Sequence, residues 1–113
     1  MDTKYKETIS KLLNFRDDRD WKQFHDSKNL ALALSIEASE LNELFLWKEK
    51  PESENVNIEK IKEELADILS YAFLLADKHH LDPFEIIEEK IKKNNEKYPI
   101  EKAKGKADKY TDL

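Results

Sequence analysis

A chain of 113 residues has room for one domain and one small core, burying about two-thirds of its unfolded surface. Its formal net charge of -5 argues against a broad nucleic-acid-binding face and points to small ligands, and with no cysteine there is neither a disulfide framework nor a thiolate site. Nothing resembles a signal peptide or an apolar run of membrane length, so no membrane partner is expected and the cytoplasm is the default location.

One glycine and three prolines among abundant Leu, Ile, Ala, Lys and Glu, without sustained strand alternation, predict an all-α protein. Residues 3–16 read as a first helix with Tyr5, Ile9, Leu12, Leu13 and Phe15 on its apolar side. From Arg16 to Asp26 the periodicity breaks, and dense charge is interleaved with Trp21, Phe24 and His25. These rings suit a ligand-contacting cover. The plainer alternative has Trp21 and Phe24 plugging the end of a bundle with His25 at the surface.

Ser27 is the expected N-cap of a helix over 28–49 that stops before Pro51. Its apolar stripe is Leu30, Leu34, Leu41 and Leu44, with Glu37 near the centre and Glu40 at the edge. Trp47 then falls nearly three turns beyond Glu37, over the same general face. Residues 51–56 form the one clear linker. Asn57 caps a second long helix from Ile58 to His79 or His80, and the two lengths suit an antiparallel hairpin. Its stripe reads Ile61, Leu65, Ile68, Leu69, Ala72 and Leu75, with Glu64, Asp67 and Tyr71 along the flank. Asp82-Pro83 with Glu85 starts a further helix running to Lys97, along one side of which Lys90, Asn94 and Lys97 are spaced for phosphate oxygens or for solvent. From Ile100 the chain is polar, with its single glycine at Gly105, and is expected to wrap the surface or a neighbouring subunit.

The acids are the conflict in this pattern. Glu37 with Glu40, and Glu64 with Asp67, are each three residues apart, so both carboxylates of a pair can reach one small object. Inward carboxylates of like charge require a cation, a shared proton or basic partners. A hard divalent ion such as Mg²⁺ or Mn²⁺ is the simplest of these. The alternative leaves the acids at the stripe edge, facing water.

Glu37-Ala-Ser-Glu40 and Glu64-Leu-Ala-Asp67 resemble the ExxE and ExxD of the MazG-like nucleoside triphosphate pyrophosphohydrolases, an all-α family. Arg19-Asp-Trp-Lys-Gln-Phe-His25, Leu44-Phe-Leu-Trp-Lys48, Asn94 with Lys97-Tyr-Pro99, and Lys109-Tyr-Thr-Asp-Leu113 are similar to its dCTP pyrophosphatase branch. The resemblance implies that Glu37, Glu40, Glu64 and Asp67 form the catalytic set and coordinate Mg²⁺, with Mn²⁺ as the alternative. It implies hydrolysis of a (deoxy)nucleoside triphosphate, dCTP or a modified dCTP, to the monophosphate and pyrophosphate. Trp21, Lys22, Gln23, Phe24, His25 and Trp47 would contact the base, Tyr71 would lie in the substrate site, and Lys90, Asn94, Lys97 and Lys109 are candidates for the phosphates. It further implies one MazG-like domain over 1–113, with 99–113 as a polar tail, completed by assembly into a homotetramer built as a dimer of dimers. Two departures bear on base preference: apolar residues around Leu12 where dCTP-preferring relatives can place a histidine, and a shorter linker at 51–56. Two other classes compete. A di-iron or di-manganese carboxylate bundle normally needs Glu-x-x-His on two helices, and here the acid motifs contain no histidine. A non-catalytic helical oligomerisation or interaction protein would use the acids as a solvated or salt-bridged face.

Overall fold

The computed structural model describes residues 2–113, and all regular structure among them is helical. Helix α1 spans Thr3–Asp18, two residues beyond the expected end. Asp2 caps it by accepting from the Lys4 N–H, and Tyr5 and Ile9, one turn apart, are its buried pair. The chain then turns through Asp20 at φ 54 and enters a short 3₁₀ turn at Lys22–Phe24.

Helix α2 spans Ser27–Glu43, which corrects the sequence expectation at both ends. The cap is Asp26, whose carboxylate accepts from the Asn29 N–H at 2.7 Å, while Ser27 is the first helical residue. The helix stops well before Glu49 because the Leu44, Phe45 and Leu46 N–H groups bond three residues back rather than four, after which Trp47 adopts φ 61. A 3₁₀ turn at Glu52–Asn55 completes the connection. Helix α3, Ile58–Lys78, begins at the predicted Asn57 cap and ends with His79 as C-cap and His80 at φ 57.

Helix α2 packs along α3, and α1 packs on α3 with the Tyr5 and Phe73 rings edge to face at 5.4 Å. Ser27 at the start of α2 meets His79 beyond the end of α3, Oγ to Nε2 at 2.9 Å, so the pair is the expected antiparallel hairpin. On α2, Leu30 is 2% exposed, and Leu34, Glu37, Leu41 and Leu44 continue the covered line, as the stripe predicts. On α3 the covered line is Ile61, Glu64, Ile68, Tyr71 and Leu75, whereas Leu65 and Leu69 are exposed. The expected stripe is therefore rotated, and Glu64 lies within it rather than on its flank.

The chain divides into two compact units at His80 and Leu81. In the second unit, α4 spans Pro83–Lys97, with Asp82 accepting from the Phe84 and Glu85 N–H groups and proline in the first turn, as the sequence predicts. The polar tail is more structured than its composition suggests. It forms a single helical turn, α5 at Ile100–Ala103, passes through Gly105 at φ 78, and ends in a 3₁₀ turn at Tyr110–Asp112. Tyr110 returns to the end of α4, its ring 6.0 Å from that of Tyr98 and 5.0 Å from the Lys97 Nζ. Among the described residues no helix is long and apolar enough to cross a membrane.

Candidate functional site

Glu37 and Glu40 project from consecutive turns of α2, and Glu64 from the facing line of α3. One carboxylate oxygen from each lies within 4.8 Å of the others. Glu37 Oε2 and Glu64 Oε2 are buried and have no hydrogen-bond partner. Burial, hydrogen bonding with Glu40 and the charges of Glu40, Asp67 and Glu64 push the Glu37 carboxyl up to about 7. Burial and Glu40, followed by the charge of Asp67, also raise Glu64, against a hydrogen bond with Glu37 that lowers it. Basic partners do not resolve the conflict, since the ion pairs among the described residues are Arg16–Asp17 and Lys62–Glu59. A shared proton resolves it in part. Two unpartnered oxygens and an all-oxygen donor set fit a hard divalent cation.

Asp67, one turn beyond Glu64, is exposed and stands outside this trio. It opens instead onto an adjoining cleft of about 250 Å³. Tyr71 and Ser70 continue the α3 wall, Leu12, Phe15 and Arg16 come from α1, and Trp21 and His25 come from the irregular segment. The rings meet edge to face, Phe15 with Trp21 at 5.8 Å and His25 with Tyr71 at 6.3 Å. The segment holds its shape through backbone bonds, from the Trp21 N–H to Arg16 O at 3.0 Å and from the Phe24 N–H to Trp21 O at 2.9 Å. Tyr71 joins the two halves of the site. Burial and the charges of Glu37 and Asp67 raise its phenol, which therefore keeps its proton. His25 is lowered by burial and by Arg16 and is neutral at pH 7, with its Nδ1 buried and unpartnered.

An acid trio shared by two helices, beside an aromatic cleft, is the setting in which the sequence comparisons gain meaning. Residues 32–113 match the MazG-like family. The chain belongs to that family. It is 40% identical over 104 residues to dCTP pyrophosphatase 1 of Rattus norvegicus and 38% identical over 104 residues to that of Homo sapiens, in each case across 88% of this chain. The chain spans 61% of the length of these curated relatives. A solved pyrophosphatase structure from Archaeoglobus fulgidus superposes with a TM-score of 0.81 at 36% identity, covering 88% of this chain and 95% of that one.

Not every residue singled out in this MazG-like sequence converges on the cleft. Gln23 is turned back onto Asp20, donating to its carbonyl and carboxylate at 3.0 Å. Lys22 lines a neighbouring cavity of about 320 Å³, and Phe24 is exposed. Trp47 is 92% exposed, and because α2 ends at Glu43 the helical spacing that placed it above Glu37 does not apply. In the second unit, Lys90 is held below the usual lysine range by the charge of Lys97, by hydrogen bonding with it, by burial and by Lys93, so Lys90 and Lys97 lie side by side on α4. Sequence reasoning did not find Arg16 or the contribution of α1 to the cleft. The available signal was Arg16 at the helix edge next to Phe15, where the apolar pattern gives way to charge.

Proposed function

We propose that this chain is a metal-dependent pyrophosphohydrolase that converts a deoxynucleoside triphosphate of the cytosine type, dCTP or a modified dCTP, and water into the monophosphate and pyrophosphate. The observation that carries the reading is the pair of buried, unpartnered oxygens on Glu37 and Glu64, beside Glu40 and next to a ring-lined cleft. The names of the relatives and of the structural neighbour point the same way.

Glu37, Glu40 and Glu64 would hold the cation, Mg²⁺ or else Mn²⁺, and Asp67 on the rim completes the set. When bound, such an ion neutralises triphosphate charge and activates water for attack at the α-phosphorus. Glu37 carries the proton that must leave before all these oxygens are ionised. A carboxylate of the cluster then accepts the proton of the attacking water. Trp21, Phe15 and Tyr71 exclude water and stack on the base, with His25 beside it. Lys90, Asn94, Lys97 and Lys109 are assigned to the phosphates.

The chain is taken as one MazG-like domain over 1–113, with 99–113 as its tail, acting in the cytoplasm as a homotetramer built from two dimers. Exposed Leu32 and Ile36 on α2, and Leu65 and Leu69 on α3, support assembly, because burying apolar surface of this extent favours association. Trp47 is assigned to the assembled site. The test is turnover of unmodified and modified dNTPs with Mg²⁺, with and without EDTA, resolving pyrophosphate from phosphate. Metal-dependent pyrophosphate release is expected. Release of phosphate and a diphosphate, or no turnover by protein that still binds Mg²⁺, would overturn the reading.

A further inference from the structure

On the reading that the ring-lined cleft receives the base, we propose that Arg16 is the specificity-determining residue, offering its guanidinium to the adjacent O2 and N3 acceptors of cytosine. The inference rests on the proposed function and deepens it.

Arg16 lines the cleft, and its side chain is only 16% exposed. Among the described residues its side chain has one partner, Asp17, reached through Nε and Nη2 at 2.8 Å, both to the same carboxylate oxygen. A guanidinium is planar and carries five N–H groups, so this contact uses one edge and leaves the Nη1–Nη2 edge unspent. That edge is not enclosed, so a ligand in the cleft can take the place of water on it. His25 lines the same cleft through its ring, while its Nδ1 is enclosed, so the polar choice between bases falls to Arg16.

The unused edge of Arg16 thus offers two adjacent donors. Among pyrimidines, cytosine matches with adjacent acceptors at O2 and N3. Uracil and thymine place the N3–H between two carbonyls, which would set N–H against N–H at Arg16. Phe15, Trp21 and Tyr71 cannot make this distinction, because every base offers a stacking face.

The test is kcat/KM for dCTP and dUTP, with Mg²⁺, for the wild-type chain, Arg16→Ala and Arg16→Lys. The wild type is expected to favour dCTP. Arg16→Ala should lose roughly tenfold to a hundredfold on dCTP and little on dUTP. Arg16→Lys should not restore the ratio, since an ammonium keeps the charge but lacks the fork. A purely structural role would lower both substrates together. An unchanged ratio, or a wild-type preference for dUTP, overturns the inference. A second measurement needs neither turnover nor a variant: the Arg16 guanidinium NMR signal of the wild type, titrated with dCMP and with dUMP. A shift with dCMP alone supports the assignment even if no pyrophosphate is ever released, which would instead remove the proposed reaction. No shift at saturating dCMP overturns it.

Discussion

The carboxylate cluster and the aromatic cleft adjoin on α3 and are built by opposite means. Glu37, Glu40 and Glu64 stand at interior positions of two regular helices, where backbone hydrogen bonding fixes their backbone and their carboxylates come together. Trp21 and His25 stand on a turn and a short 3₁₀ segment entered through Asp20 at φ 54, where short-range backbone bonds set the course of the chain. Repulsion is thus concentrated in the regular part, and shape in the irregular part. The cluster should answer to charge and the cleft to contact area.

The largest effect expected from breaking this contrast is on the cluster. Loss of an outer-shell partner typically costs about 10–100-fold, so Glu64→Gln, which alters an oxygen of the set itself, should lower kcat by more than about 100-fold. Steady-state kinetics with Mg²⁺ check this, with circular dichroism to establish that the helices are retained. On the cleft side, Trp21→Ala removes a stacking face worth about 1–3 kcal/mol, so kcat/KM should fall by about 5-fold to 150-fold, mainly through KM.

Proton linkage sharpens the comparison. The Glu37 carboxyl titrates at about 7 in the folded chain, against about 4.3 for an ordinary glutamate. The folded state therefore binds the more tightly held proton, and without metal its stability should fall as pH rises from about 4.5 to about 7. Because Glu37 is partly exposed, solvent screening reduces the effect to on the order of 1 kcal/mol. Glu37→Gln should flatten this slope in thermal denaturation with EDTA at pH 5 and pH 8. No comparable dependence is expected from Trp21→Ala. The smallest effect belongs to Ser27→Ala, which removes the contact with His79 and should cost about 0.5–1 kcal/mol in denaturant unfolding.

The two regions also differed in how far the sequence disclosed them. The i, i+3 acids and the leucines of α2 were legible because helical period fixes which residues share a face. On α3 the same reasoning chose the wrong line, since Leu65 and Leu69 are apolar yet exposed on the single chain, and apolar identity does not separate a core from an uncovered surface. Local capping preference identified Asn57 and Asp82 but favoured Ser27 over its neighbour Asp26. The end of α2 was hidden because the residues after Glu43 include good helix formers, and the switch to i→i−3 bonding leaves no clear mark in composition. The cleft was the least legible part. Its rings were visible in the sequence, but the contribution of Arg16 depends on how α1 meets α3, which is tertiary packing and not periodicity.

The contact between Ser27 and His79 has a mechanical consequence. The two acid-bearing helices are joined by the connecting loop at one end and clasped by this bond at the other, so they behave as the rails of a closed frame. Rails fastened at both ends resist splaying under the repulsion among the carboxylates between them. An incoming cation then meets acids that folding has already brought together, with a clasp that opposes their separation.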